Sequence, residues 1–67
     1  MVNGEKIRQL MTEKGIQNKE MAMKAGVSES MMTFIVQGLR EPNVSVLVRI
    51  SGVLGCTVDE LIVRREA

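Results

Sequence analysis

The stretch GVSESMMTFIVQG, Gly26 to Gly38, holds the side chains best placed to do chemistry in this chain. At about 100° per residue, Glu29, Ser30, Thr33 and Gln37 gather on one side and Phe34 lies at that side's edge. Ser28, Met32 and Ile35 share the other side, flanked by Met31 and Val36. A carboxylate, hydroxyls and an amide on one short face can exchange hydrogen bonds with a partner, but they pair no nucleophile with a base. Bond-making chemistry finds little elsewhere. The chain has no His, Tyr or Trp, and Asp59 and Glu60 are neighbours in sequence, not carboxylates facing each other across a cleft. A single cysteine, Cys56, excludes an internal disulfide and, without histidine, leaves a structural zinc short of ligands. The expectation is no enzyme, no metal, no cofactor and no small-molecule ligand.

Such a face needs a rigid support. With 67 residues the chain makes one small domain with one compact core. Helix packing, with pairing to a second copy, has to supply the stability that disulfides or metals give other small scaffolds. A net charge of +1 neither argues for nucleic acid nor excludes it. Met1 and Val2 are followed at once by polar and charged residues, so no signal peptide is expected. The longest uncharged runs, Ser30–Leu39 and Ile50–Val58, fall short of a membrane span of about 20 apolar residues. A reduced, cytoplasmic setting is the expectation.

Periodicity predicts an all-α fold of five helices. Ile7, Leu10 and Met11 make EKIRQLMTEK an amphipathic helix closed by Gly15. NKEMAMKA comes next, with Met21, Ala22 and Ala25 inward and Gly26 closing it. Ser28 caps the third helix, and Asn43 caps a fourth whose stripe is Val44, Leu47, Ile50, Ser51 and Leu54. After Gly55, TVDEL supplies a capping box between Thr57 and Glu60. It opens a fifth helix with Val58, Leu61 and Ile62 on its apolar side and Arg64 and Arg65 in its last turn. The six methionines read as flexible core filler and Cys56 as a buried, inert thiol. Residues 1–3 form an N-terminal tail and 4–65 the domain.

A short helix, a turn of about three residues with glycine, and a second helix with a polar outward face fit a helix-turn-helix over about residues 18–37. Ala22 permits close helix approach, Gly26 permits the turn, and Val27 plugs the gap between the helices. Together with IRQLMTEKGI, KEMAMKAGVSES, QGLREPN and VLVRISGVLGCTVDEL, the chain resembles the lambda-repressor/Cro-like helix-turn-helix domains of phage and bacterial regulators. The likeness runs from about Glu5 to Ile62.

That resemblance implies a compact five-helix domain that binds double-stranded DNA as a homodimer, with the third helix in the major groove. It implies base-contacting positions at Glu29, Ser30, Thr33 and Phe34, and backbone-contacting positions at Gln17, Asn18, Lys19, Ser28, Gln37 and Arg40. The side chains suit these roles: a glutamate accepts from a cytosine amino group, hydroxyls donate or accept, and a phenyl ring packs on a thymine methyl. Phe34 keeps three readings: a base-contacting wedge, a protein-interface anchor, or a ring folded back on Ser30 and Met31. Gln17 is a poor cap, which would draw Asn18 into capping the second helix. The third helix lacks Lys and Arg and carries Glu29, so modest affinity with a shallow salt dependence is expected. Lys6, Arg8, Lys14 and Lys24 read as scattered surface charges, with Lys24 a possible exception. Val46, Val53, Ile62 and Val63 fall outside the expected core stripe or at its margin, and a dimer interface through Val46, Val53, Leu61 and Ile62 is expected. An alternative keeps the fold but makes it a protein-interaction module, docking a partner on the apolar third helix.

Overall fold

The computed structural model of the chain describes residues 1–63. Four α-helices run in order, α1 (Gly4–Lys14), α2 (Asn18–Ala25), α3 (Glu29–Val36) and α4 (Val44–Leu54), and a 3-10 turn at Val58–Leu61 comes after them. The helices begin and end where their local chemistry dictates. The side-chain oxygens of Asn3, Ser28 and Asn43 each accept from a backbone N–H of the first turn, and Gly15, Gly26 and Gly55 close α1, α2 and α4.

Apolar faces of all these elements meet in one core. Ile7, Met21, Met32, Ile35, Ile50, Leu54 and Leu61 are its largest fully buried side chains. Helix α4 packs against α2, α1 and the 3-10 turn, while α3 packs on α2 and α1. Helix α1 meets α3 closely. A Cβ added at Gly4 would sit 2.5 Å from the Ile35 carbonyl oxygen and 2.6 Å from that of Val36. Glycine is therefore the residue that lets the start of α1 lie on the end of α3, where oppositely signed helix ends face each other.

Several expectations change here. The fifth helix is a four-residue 3-10 turn. Its capping box is present, with Thr57 and Glu60 exchanging backbone and side-chain hydrogen bonds at 2.9 and 3.3 Å. The chain then leaves helical geometry because Ile62 pairs antiparallel with Val2. Asn3 N donates to Leu61 O at 2.6 Å and Val63 N to Met1 O at 2.9 Å, so carbonyls and amides that a longer helix would use are taken by the N-terminal segment. Residues 1–3 are accordingly no loose tail: Val2 is buried, its N–H donates to the Glu41 carboxylate at 3.0 Å, and Asn3 caps α1. Arg64 and Arg65 lie outside the described residues.

Packing also sorts the apolar residues differently. Val44, assigned to the core stripe of α4, is exposed, as is Val48 one turn on. Met11, Met21 and Met32 fill the core as expected, but Met1 and Met23 are exposed. Cys56 is half-buried, not buried, beside Leu10, Lys14 and Glu60. Burial and the neighbouring Glu60 carboxylate push its thiol above the ordinary value, which favours the protonated form.

Candidate nucleic-acid interface

Two eight-residue helices joined through Gly26, Val27 and Ser28 form the unit that presents the candidate face. Gly26 adopts φ 75°, ψ 31°, a left-handed conformation that a side chain would strain, and the turn reverses there. Val27 is half-buried against the core and Ala22 and Ala25 are buried, so α2 and α3 approach as their small residues allow. Arg49, to which the sequence pattern assigns no role, reaches from α4 to donate to Ala25 O at 3.4 Å and lies over Gly26. This guanidinium sits at the negative end of α2 and ties the turn to the rest of the core. Its position is a tertiary matter with no local sequence signal. Lys24, set apart from the scattered charges, pairs with Glu20 at 3.1 Å along α2, an exposed pair.

Helix α3 presents the predicted face outward. Met32 and Ile35 are fully buried beneath it, Met31 and Val36 are half-buried, and Glu29, Ser30, Phe34 and Gln37 are exposed. Thr33 is half-buried, and its hydroxyl donates to Glu29 O at 2.9 Å. What it still offers outward is a methyl group and acceptor capacity, not a free donor. Ser28 accepts from Met31 N at 3.0 Å as the cap of α3, which leaves its own O–H to donate. Phe34 is 40% exposed. It lines a shallow depression of about 220 Å³ with Ser28, Ser30, Met31 and Arg40, so the α3–α4 loop returns Arg40 to this edge of α3.

The opposite edge is organised by Asn18. Its Nδ2 donates to Glu29 O at 3.1 Å and to Thr33 Oγ1 at 3.2 Å. The expectation that Asn18 caps α2 is corrected: Gln17 occupies the cap position without a side-chain bond, and Asn18 is the first helical residue. Its amide protons are spent as a strut between α2 and α3 because Thr33 and the Glu29 carbonyl stand within reach. Gln17 and Lys19 are exposed beside it. Asn18→Ala is expected to cost about 1–2 kcal/mol by removing both bonds, read as a lower urea midpoint at unchanged slope. A midpoint equal to wild type would show that the strut carries no stability.

The expected dimer residues separate on burial. Leu61 is fully buried in the core of a single chain and has no surface to give a partner, because the 3-10 turn points it inward. Val46, Val53 and Ile62 are half-buried at the core's margin. Among the described residues, no three His, Cys, Asp or Glu side chains gather to hold a metal ion. No helix among them is long and apolar enough to cross a membrane.

Comparison with known proteins bears on this geometry. The family described as helix-turn-helix matches residues 7–61. The N-terminal DNA-binding domain of SinR from Bacillus subtilis is 34% identical, with a TM-score of 0.81 over 96% of this chain and 94% of that one. SinR, a master regulator for biofilm formation, in a crystal structure with DNA is 37% identical, with a TM-score of 0.79 over 88% and 98%. The P22 c2 repressor with a synthetic operator is 27% identical, with a TM-score of 0.82 over 88% and 89%. No curated protein sequence gives a significant match.

Proposed function

Because the chain belongs to the helix-turn-helix family, we propose that it is a sequence-specific DNA-binding transcriptional regulator of the Cro/repressor type that lays α3 in the major groove. The observation that carries this reading is the outward face of α3: Glu29, Ser30, Phe34 and Gln37 stay exposed on a helix whose other side is locked into the core. Similarity to SinR and to the P22 c2 repressor, both solved with DNA, supports it.

In this reading Glu29 accepts from a cytosine amino group, Ser30 donates or accepts, and Phe34 and the Thr33 methyl pack on thymine methyls. Lys19, Gln37, Arg40 and the Ser28 hydroxyl take phosphate oxygens, joined by backbone N–H groups at the starts of α2 and α3, near Gln17 and Ser28. Asn18 contributes its backbone N–H and its position, since its amide protons hold α3. A second copy pairs through the margin of α4 and the segment just after the 3-10 turn, with Val46, Val53 and Ile62 joined by the exposed Val48 and Val63. Regulation then comes from occupying an operator, with no catalytic step.

The test is selection from a random duplex pool, then titration of the selected site. Thr33→Ala should change the preferred base at one position of each half-site. Arg40→Ala should weaken selected and scrambled duplexes by about the same factor. Failure of the wild type to enrich any duplex would transfer this face, with its exposed Phe34 and Leu39, to a protein partner.

A further inference from the structure

The charges along α1 divide between two sides of the molecule. Lys6 and Lys14 turn toward the cleft beside Cys56. Arg8 turns the other way and lines two adjoining clefts at the end of α3. One, of about 380 Å³, brings it beside Met11, Asn18, Thr33, Val36 and Gln37. The other, of about 330 Å³, adds Gly4, Glu5 and Gly38. Arg8 is exposed and makes no ion pair or side-chain hydrogen bond among the described residues. The acids near it on the helix, Glu5 and Glu13, share a further shallow depression with it, and neither pairs with it.

We propose that Arg8 is a phosphate-contacting residue, which extends the DNA-binding surface from the helix-turn-helix onto α1. The inference rests on the reading that α3 enters the major groove. A helix in that groove has a phosphate strand along each of its two edges. One edge of α3, at Ser30, Met31 and Phe34, already has a guanidinium in Arg40. The other edge, which starts at Glu29 and runs through Thr33, Val36 and Gln37, carries no cation of its own, and the amide protons of Asn18 are occupied there. Lys19 lies beside Asn18 at the start of α2, and Arg8 is the guanidinium that the fold brings to the Thr33, Val36 and Gln37 part of that edge. Its planar fork can grip a phosphate with two parallel hydrogen bonds, and its lack of an internal partner leaves those donors available. The chain thus places one guanidinium on each side of a recognition helix that carries no cation itself. The proximity of Arg8 to α3 comes from the close packing at Gly4, which sets the start of α1 against the Ile35 and Val36 carbonyls.

The experiment titrates fluorescent selected and scrambled duplexes over a salt series with wild type, Arg8→Ala and Lys14→Ala. Lys14→Ala removes the same charge from the far turn of the same helix, and far-ultraviolet circular dichroism establishes that each variant is folded. Arg8→Ala should weaken both duplexes about 3–10-fold and reduce the slope of log affinity against log salt by about 1, while Lys14→Ala leaves the slope unchanged. An Arg8→Ala slope equal to wild type, or an equal reduction in both variants, overturns the contact. A wild type that binds no duplex defeats the groove reading itself, which is a different result from bound duplex with an unaltered slope.

Discussion

Ile50→Ala is expected to remove a large share of the protein's stability and to lower its melting temperature by about 10 °C or more. Ile50 is fully buried in the middle of α4, the helix that touches α2, α1 and the 3-10 turn. Truncating a buried isoleucine to alanine costs about 2–5 kcal/mol, from lost transfer free energy and the cavity left behind. Stability runs at about 0.05–0.15 kcal/mol per residue, so a chain of 67 residues has roughly 3–10 kcal/mol in total. No disulfide supplements it, since Cys56 is the lone cysteine. Thermal unfolding monitored by circular dichroism measures the loss. A melting temperature within a few degrees of wild type would mean that α4 is not the hub of the core.

The second large effect is expected at Gly4, and its sign is what makes it informative. Glycine to alanine ordinarily stabilises a helix, by up to about 1 kcal/mol. At Gly4 the new Cβ would meet backbone, 2.5 and 2.6 Å from two carbonyl oxygens of α3 and 2.8 Å from the Val36 carbonyl carbon. Backbone cannot swing aside as the tip of a side chain can, so α1 and α3 must separate. Overpacking of this kind costs about 1–3 kcal/mol, which exceeds the propensity gain. Gly52→Ala is the matched control: it lies within α4 with open space around the added atom and should stabilise the protein. Urea denaturation of both variants separates the two contributions. Stabilisation by Gly4→Ala would show that the helices are not in contact there. Because the displaced partner is α3, Gly4→Ala should also lower DNA affinity more than Gly52→Ala does.

These positions differ in how far the sequence announces them. The outward polar face of α3 was legible because both its causes are local. Ser28 caps the turn that begins at Glu29, and the spacing of Met32 and Ile35 leaves Glu29, Ser30 and Gln37 no side but the outer one. The glycine closures of α1, α2 and α4 are legible for the same reason, since a left-handed residue ends a helix wherever it stands. The fate of TVDEL was not legible. Its capping box is real, but how long the helix beyond it runs is decided by the antiparallel pairing of Ile62 with Val2, at the opposite end of the chain. That pairing also ties the first three residues to the fold, with Val2 in the core, and points Leu61 inward, away from any dimer partner.

The amino-acid order by itself determined where the four α-helices begin and end, which side of α1, α2 and α3 is apolar, and hence that a polar face on the third would look outward. Each of those outcomes depends on hydrogen bonds and side-chain spacing within a few residues. Only the tertiary structure decided what stands beside that face. Asn18 is spent on Thr33 and Glu29, Arg8 and Arg40 flank α3 on opposite edges, and Glu41 holds Val2. These are meetings between residues far apart in the chain. No periodicity records them, because the distance between such groups is set by how the helices pack and not by the count of residues between them.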